Sequence, residues 1–286
     1  MFSRQKTNID QAHKVYLVGT PIGNIKDITY RAVEVLASSD IIYCEDTRIT
    51  GLLLSHYNIK TKLKSYHLYN ENELTTNIID DVKKGLTVSI VSDAGMPGIS
   101  DPGYLAVKEA IEQEVAVEII PGPSASLTAL VGSGIEPFKF TFIGFLNSNQ
   151  NKREKELEQL KFNEVPLIIY EAPHRIESTL QLINKVMPNR HIVLARELTK
   201  KYEEYLRGTA EEILEYVNEI KGEMVLIISA APKEEANEDL LSLSIKEHYA
   251  YYTNLGYESK DAMKQVAKDR GVSKSDIYQE IKGKNK

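Results

Sequence analysis

One regularity constrains the fold of this chain more than any other. Short apolar runs alternate with stretches of helical spacing through the first half of the sequence. The runs are Val15–Val18 (VYLV), Ile41–Cys44 (IIYC), Thr87–Val91 (TVSIV) and Val115–Ile120 (VAVEII). Helical patterns near 29–37, 47–56, 72–84 and 104–113 lie between them. Strand-like runs joined by helices of this length predict βαβ units around a largely parallel sheet. Asn70, with Glu73 three residues on, predicts a capping box at the start of the third helix. After a polar loop at 146–151 (LNSNQN) and a helix at 152–162, a second series follows. It comprises strand-like Pro166–Tyr170, a helix at 174–187, His191–Arg196, Tyr205–Gly208, a helix at 210–220 and Met224–Ser229. The expected fold class is α/β, with two α/β domains at 13–134 and 135–232 after a flexible N-terminal segment, 1–12. Residues 231–239 (APKEEANED) read as a linker. Three helical patterns at about 240–254, 259–270 and 274–283 complete a tail spanning 233–286. Within it, Gly271-Val272-Ser273, with Ser273 as N-cap, sketches a helix-turn-helix.

Composition narrows the class. At about 150 residues per domain, 286 residues suit two domains. A single cysteine, Cys44, excludes an intrachain disulfide and a Cys-rich zinc site, and suits the cytoplasm. No stretch approaches the roughly 20 apolar residues of a membrane span, so no membrane partner is expected. The net charge of −6 argues against a general nucleic-acid coat. Residues 257–286, however, hold eight Lys and Arg against five Asp and Glu. A basic end on an acidic body is either an interaction tail or a solvated helical face.

The chemistry-bearing segments fall at strand ends. VGTPIGN (18–24) follows the first strand, and its glycines permit a tight turn or close backbone approach. It lacks both the G-x-G-x-x-G spacing and the Gly-Lys-Ser/Thr of a phosphate loop. SDAGMPGISDPG (92–103) packs three Gly, two Pro and two Asp into twelve residues. Open α/β sheets bind ligands at this end of a strand, and Asp93 is placed to accept hydrogen bonds there. IPGPSAS (120–126) puts Ser124 at a helix start that can hold a carboxylate. CEDTR (44–48), EAPHR (171–175) and ARELTKK (195–201) each set acids and a base at a strand end; singly, each is an ordinary surface ion pair. No G-x-S-x-G elbow and no H-E-x-x-H spacing occurs, so neither nucleophilic nor metal catalysis is expected.

In this order, VGTPIGNIKDITYRA (18–32), CEDTR, SDAGMPGISDPG, PGPSA (121–125), EAPHR and RELTK (196–200) resemble the tetrapyrrole methylase-like family. The likeness runs over roughly residues 13–230, and EDTR and EAPHR set this branch apart from the porphyrin and corrin methylases. The resemblance implies a two-domain α/β fold with S-adenosylmethionine in the cleft between the domains. It implies methyl transfer to the ribose 2′-hydroxyl of a decoding-region cytidine in 16S rRNA of the small ribosomal subunit, by a homodimer without a metal. Carried over by position, Ile22, Asp93, Met96, Ser124, Ala125, Tyr170, Ala172, Glu223 and Met224 would contact the cofactor. Glu45 and Asp46 would be candidates for a catalytic base, and Arg48, Arg175, Lys200 and Lys201 would grip RNA phosphates. The alternatives are a methylase of the same fold acting on a tetrapyrrole or a protein side chain, and a non-enzymatic ribosome-associated factor. A nicotinamide-dependent oxidoreductase is disfavoured by the missing dinucleotide fingerprint.

Overall fold

The computed structural model describes residues 13–217, 221–232 and 240–282. The segment 1–12 and most of the linker lie outside the described residues. In the first half, β1 (Val15–Val18), α1 (Tyr30–Ser38), β2 (Ile41–Cys44), α2 (Thr47–His56) and β3 (Lys62–Ser65) come first. They are followed by α3 (Glu71–Lys83), β4 (Val88–Val91), α4 (Tyr104–Glu112) and β5 (Val117–Ile120). The five strands form one sheet in the order β3-β2-β4-β1-β5, every pairing parallel. β2 and β4 are buried along their whole length, which is why they read as unbroken apolar runs. β3, KLKS, was not foreseen. It is one of the two edge strands, its ends are exposed, and its lysines suit an unpaired edge. Asn70 does precede α3, but its side chain does not cap the helix. Its Oδ1 instead accepts the backbone N–H of His67 at 2.8 Å.

The second half contains α5 (Ala125–Ser133), β6 (Thr141–Phe145), α6 (Gln150–Leu160), β7 (Leu167–Glu171) and α7 (Ile176–Val186). β8 (Ile192–Arg196), β9 (Glu204–Gly208), α8 (Ala210–Leu214) and β10 (Met224–Ile228) follow. Its sheet has the order β6-β7-β10-β8-β9. Only β6–β7 is parallel; the other three pairings are antiparallel. One face of this sheet packs on α6, α7 and α8 through Leu157, Leu180, Ile183 and Ile213. The other face meets α5: Ala129 and Leu130 lie against Ile168, Val193, Val225 and Ile227. Ile22, from the turn after β1, joins this same cluster. The α5 helix, placed by sequence in the first domain, therefore shares its core with the second sheet.

The tail forms α9 (Ile245–Asn254), α10 (Ser259–Asp269) and α11 (Lys274–Lys282) around Tyr252, Met263, Val266 and Ile277. Ser273 opens α11 as expected, with its Oγ accepting from the N–H of Asp276. The tail rests on the second domain where the Tyr251 ring meets Phe162 edge-on at 5.5 Å. No helix among the described residues is long and apolar enough to cross a membrane.

Leu130 is 2% exposed and its neighbour Val131 is 78% exposed. Leu130→Ala is expected to cost about 2–5 kcal/mol and lower the urea midpoint. Val131→Ala should stay within about 0.5 kcal/mol of the parent.

Candidate functional site

Three loops converge at the C-terminal ends of the adjacent strands β4, β1 and β5. Thr20 and Gly95 exchange backbone hydrogen bonds at 2.8 and 3.1 Å, which ties the turn after β1 to the loop after β4. Gly19 touches the loop after β5. A Cβ on Gly19 would lie 2.6 Å from the Cα of Gly122 and 2.7 Å from the Met96 sulfur. Only glycine permits two backbones to come this close. These contacts fix the positions of Ile22, Asp93, Met96 and Ser124 relative to one another.

A second wall comes from the other domain. The RELTK loop lies against the PIGN turn: the N–H of Asn24 donates to Thr199 Oγ1 at 2.9 Å. A Cβ on Gly23 would meet Lys200, the carbonyl oxygen of Leu198 and Thr199 Oγ1, all within 2.7 Å. Glu197 and Thr199 adopt φ of 51° and 66°. For a β-branched residue such as Thr199 that is a strained conformation, of the kind held in place at functional sites. Lys200 Nζ bridges Glu197 at 3.0 Å and Glu223 at 3.1 Å. Burial pulls the Lys200 ammonium down, but its two carboxylate partners outweigh this and keep it charged.

Between these walls lies a cleft of about 400 Å³. Ile22, Asp93, Ala94, Lys200 and Glu223 line it, and Ile49, Leu52 and Leu53 of α2 form an apolar side. Sequence reasoning missed these α2 residues, although Leu52 and Leu53 beside the buried Leu54 make an apolar run wider than one helix face needs. A second cavity of about 450 Å³ flanks the PGP turn, lined by Asp27, Thr29, Gly122, Pro123, Thr128 and Thr199.

Carboxylates gather at the first domain's rim. Asp93 Oδ1 accepts the N–H of Asp46 at 3.0 Å. Burial raises the pKa of Asp93, and that of Glu45 is raised by burial and by the charge of Asp93. Asp101 joins them. Burial, together with the charges of Glu45 and Asp93, pushes it up to about 7. The sequence reading passed over Asp101, although it lies within the SDAGMPGISDPG segment. Asp46 behaves differently: it is the N-cap of α2, and its hydrogen bonds from Arg48 lower it to about 2. Among the described residues, no group of three or more His, Cys, Asp or Glu is placed to hold a metal ion.

The remaining expected site residues divide. Tyr170 faces the α5 side of its sheet, with its ring edge-on to Phe142 and Phe145, and Ala172 lies half-buried just past the end of β7. Glu223 lines the cleft. Met224 turns the opposite way, into the outer core with Leu226 and Ile228, because successive strand residues alternate faces. Ser124 precedes α5, where its Oγ pairs with Ser126 rather than capping the helix. Ala125 packs against the cluster of Ile22 and Ile168. Arg48 is exposed and paired with Asp46. Lys201 is exposed, its ammonium 5.4 Å from the Tyr202 ring. Arg175 points inward, donating to Glu171 Oε1 at 2.7 Å and to the carbonyl of Leu146. The Glu171 side chain is fully buried and also accepts from the N–H of Ala172 and from Thr179. Within EAPHR the half-buried Arg175 and the buried Glu171 thus form a clamp that shapes the turn after Tyr170.

Two α/β domains meeting at a cleft of strand-end loops define the class. Residues 14–214 match the family of tetrapyrrole (corrin/porphyrin) methylases. The fold agrees with that of diphthine synthase, with a TM-score of 0.60 and 16% identity over 76% of this chain and 89% of that one. It also agrees with uroporphyrin-III C-methyl transferase from Thermus thermophilus, solved with S-adenyl homocysteine. There the TM-score is 0.55 and the identity 16%, over 76% and 97% of the two chains. Curated sequences are far more similar. Ribosomal RNA small subunit methyltransferase I of Halalkalibacterium halodurans is 48% identical across 94% of both chains. The protein of that name from Bacillus subtilis is 45% identical across 92% of both, and the one from Haemophilus influenzae 40% identical. The chain belongs to this ribosomal RNA small subunit methyltransferase I family within the tetrapyrrole methylases.

Gly122→Ala places a Cβ 2.7 Å from the Gly19 backbone, where no flexible side chain can give way. The expected cost is about 1–3 kcal/mol of stability, read from the denaturation midpoint. The conservative Glu171→Gln should cost less than Glu171→Ala, which takes the buried carboxylate away from the half-buried Arg175 at up to about 3 kcal/mol in the same measurement.

Proposed function

We propose that this chain is an S-adenosylmethionine-dependent methyltransferase acting on the ribose 2′-oxygen of a cytidine in the decoding region of 16S rRNA. The observation that carries the reading is identity of 40–48% to relatives named for small-subunit rRNA methylation, over more than nine-tenths of the chain. The tetrapyrrole and protein-side-chain alternatives rest on shared fold alone.

The cleft fits the cofactor. Its volume lies within the roughly 300–1,000 Å³ usual for small-molecule sites, and the Gly19–Gly122 approach leaves backbone free to face a ligand. Ile22 and Ala94 offer apolar surface, and Asp93 and Glu223 offer acceptors for amino and hydroxyl groups. Ser124 and Ala125 begin α5, whose N-terminal dipole favours a carboxylate. Met224 contributes only its backbone. When bound, S-adenosylmethionine supplies a methyl group already activated by its sulfonium.

The chain's own residues then align, exclude water and manage the proton. The two domain walls hold the ribose oxygen in line with the methyl carbon. Ile49, Leu52 and Leu53 keep that side of the cleft apolar. The proton of a weakly acidic hydroxyl leaves more readily to a positioned carboxylate. Of the two acids expected from sequence, Asp46 is a poor acceptor because Arg48 holds it ionised, and Glu45 remains. Arg48 and Lys201, at the exposed rim, contact RNA phosphates, whereas Lys200 orders the cleft wall and Arg175 braces its own loop. An acidic body binds a shaped ribosomal surface better than naked RNA, and the basic tail adds to that affinity. The protein works in the cytoplasm as a homodimer, for which the exposed Val131 and Phe138 offer apolar surface.

The test uses labelled S-adenosylmethionine and small subunits from cells lacking this gene. Label mapped to the 2′-oxygen of a decoding-region cytidine is expected. Cofactor binding without subunit labelling would move the substrate elsewhere, and no cofactor binding would end the reading. Removal of 233–286 should weaken subunit binding with cofactor affinity unchanged; equal methylation rates would remove the tail from the substrate site.

A further inference from the structure

The tail is attached at the end of the second sheet that lies away from the cleft. Glu223, which precedes β10, lines the cleft. From there β10 runs antiparallel to β7, so that Ile228 pairs with Leu167 at the far end. The length of these strands sets the two ends about 14 Å apart. At the far end the Tyr251 hydroxyl donates to the carbonyl of Phe162 at 3.3 Å, and the N–H of Ala231 to that of Asn163 at 2.8 Å. The tail is also tied together internally. Asp269 accepts from the Tyr252 hydroxyl at 2.6 Å and lies 3.2 Å from Nε2 of the buried His248. Arg270 donates to His248 Nδ1 at 3.1 Å and to the carbonyls of Leu240 and Leu243. These contacts fix the bearing of α10 against α9.

Lys260, Lys264 and Lys268 recur at every fourth residue of α10, and all three are exposed. Four residues rise about 6 Å along a helix, so the three side chains stand in one row. Like charges at this spacing repel and weaken the helix that carries them. Among the described residues, no carboxylate forms an ion pair with any of the three to offset that cost. Of the two acids within α10, Asp269 is turned inward and Asp261 lies in the first turn. Lys274, also exposed, opens α11 beyond the Gly271 turn. A rigid row of uncompensated cations on a chain of net charge −6 is complementary to a line of phosphates.

We propose that this face of α10 binds the phosphate backbone of a duplex segment of the substrate RNA, away from the nucleotide that is methylated. The contact rests on the RNA-methylating activity argued above and adds to it a second point of attachment. A duplex suits the face because its lysines meet phosphates and bring no paired donor and acceptor groups to read base edges. The major groove of an RNA helix is too narrow for side chains to read, so α11 lies along the backbone rather than in a groove. Because the tail stands at the far end of the sheet, its contact strengthens binding of the subunit and leaves the methyl-transfer step itself unchanged.

The experiment measures binding of the full chain to a short RNA duplex and to small subunits, from about 50 to 200 mM salt, beside single-turnover methylation at saturating subunits. The parent should bind both. The combined variant Lys260→Gln, Lys264→Gln, Lys268→Gln should bind each about 10-fold or more weakly at the lower salt, with the slope of log affinity against log salt reduced by about one per lysine. Its saturating methylation rate should stay within about twofold of the parent while KM rises. Lys→Arg at the same three positions keeps the charge and should keep the affinity. Melting temperatures of both variants should match the parent, because the three side chains are exposed. Unchanged affinity and salt slope in the Gln variant overturn the proposal. A parent that binds subunits through these lysines but no RNA duplex also overturns it, and transfers the face to an acidic protein of the subunit. A saturating rate that falls with the affinity overturns the separation from the reacting nucleotide. A parent that binds the duplex through these lysines and methylates no RNA overturns the functional reading and leaves the RNA-binding face standing.

Discussion

The contact between the backbones of Gly19 and Gly122 is the constraint on which the rest of the site depends. With side chains there, the turns after β1 and β5 would stand farther apart. The Thr20–Gly95 exchange would then have to reach across a wider gap, and the turn carrying Ile22 would lift from the second sheet. The cleft exists because three neighbouring strand ends are drawn to one point, and the second domain closes over that point rather than over a flat sheet edge. The strain at Glu197 and Thr199 belongs to the same arrangement, since that loop must meet the PIGN turn closely enough for Thr199 to accept from Asn24.

The first sheet was legible in the sequence because strands covered on both faces read as unbroken apolar runs. β2 and β4 are buried throughout, and their limits match the expected ones to within a residue. β3 and β6 were invisible for opposite reasons. KLKS is an exposed edge whose charge hides its extended form. TFIGF is interrupted by Gly144 at positive φ and a register shift, which breaks the alternation. The antiparallel pairing of β10 with β7 and β8 depends on contacts between segments far apart in sequence, and local propensity carries none of that information. The same holds for α5, whose start at Ser124 was readable while the sheet it packs on was not.

For the site, the sequence revealed which loops matter better than it revealed what each side chain does. Asp46 caps a helix and Arg175 neutralises a buried acid; both are residue types that would look the same if they touched a ligand. Met224 could have been placed from period-two alternation, because Leu226 and Ile228 share its face and belong to the outer core. Asp101 needed the backbone path. Nothing in the string SDPG tells that Ser100 takes a positive φ there or that the charges of Glu45 and Asp93 act on the acid that follows it.

The meeting of Gly23 with the loop 198–200 has a consequence for how such a chain can change over generations. The two partners lie in different domains, and the hydrogen bond beside them joins residues 175 positions apart. Neither half can drift freely: a larger residue in the turn demands a retreat of the opposing loop, and a reshaped loop leaves the turn unsupported. Exchanging whole halves between distant members of the fold would therefore separate surfaces that had been fitted to each other. New specificities are easier to reach by altering the rim and the tail than by recombining the domains.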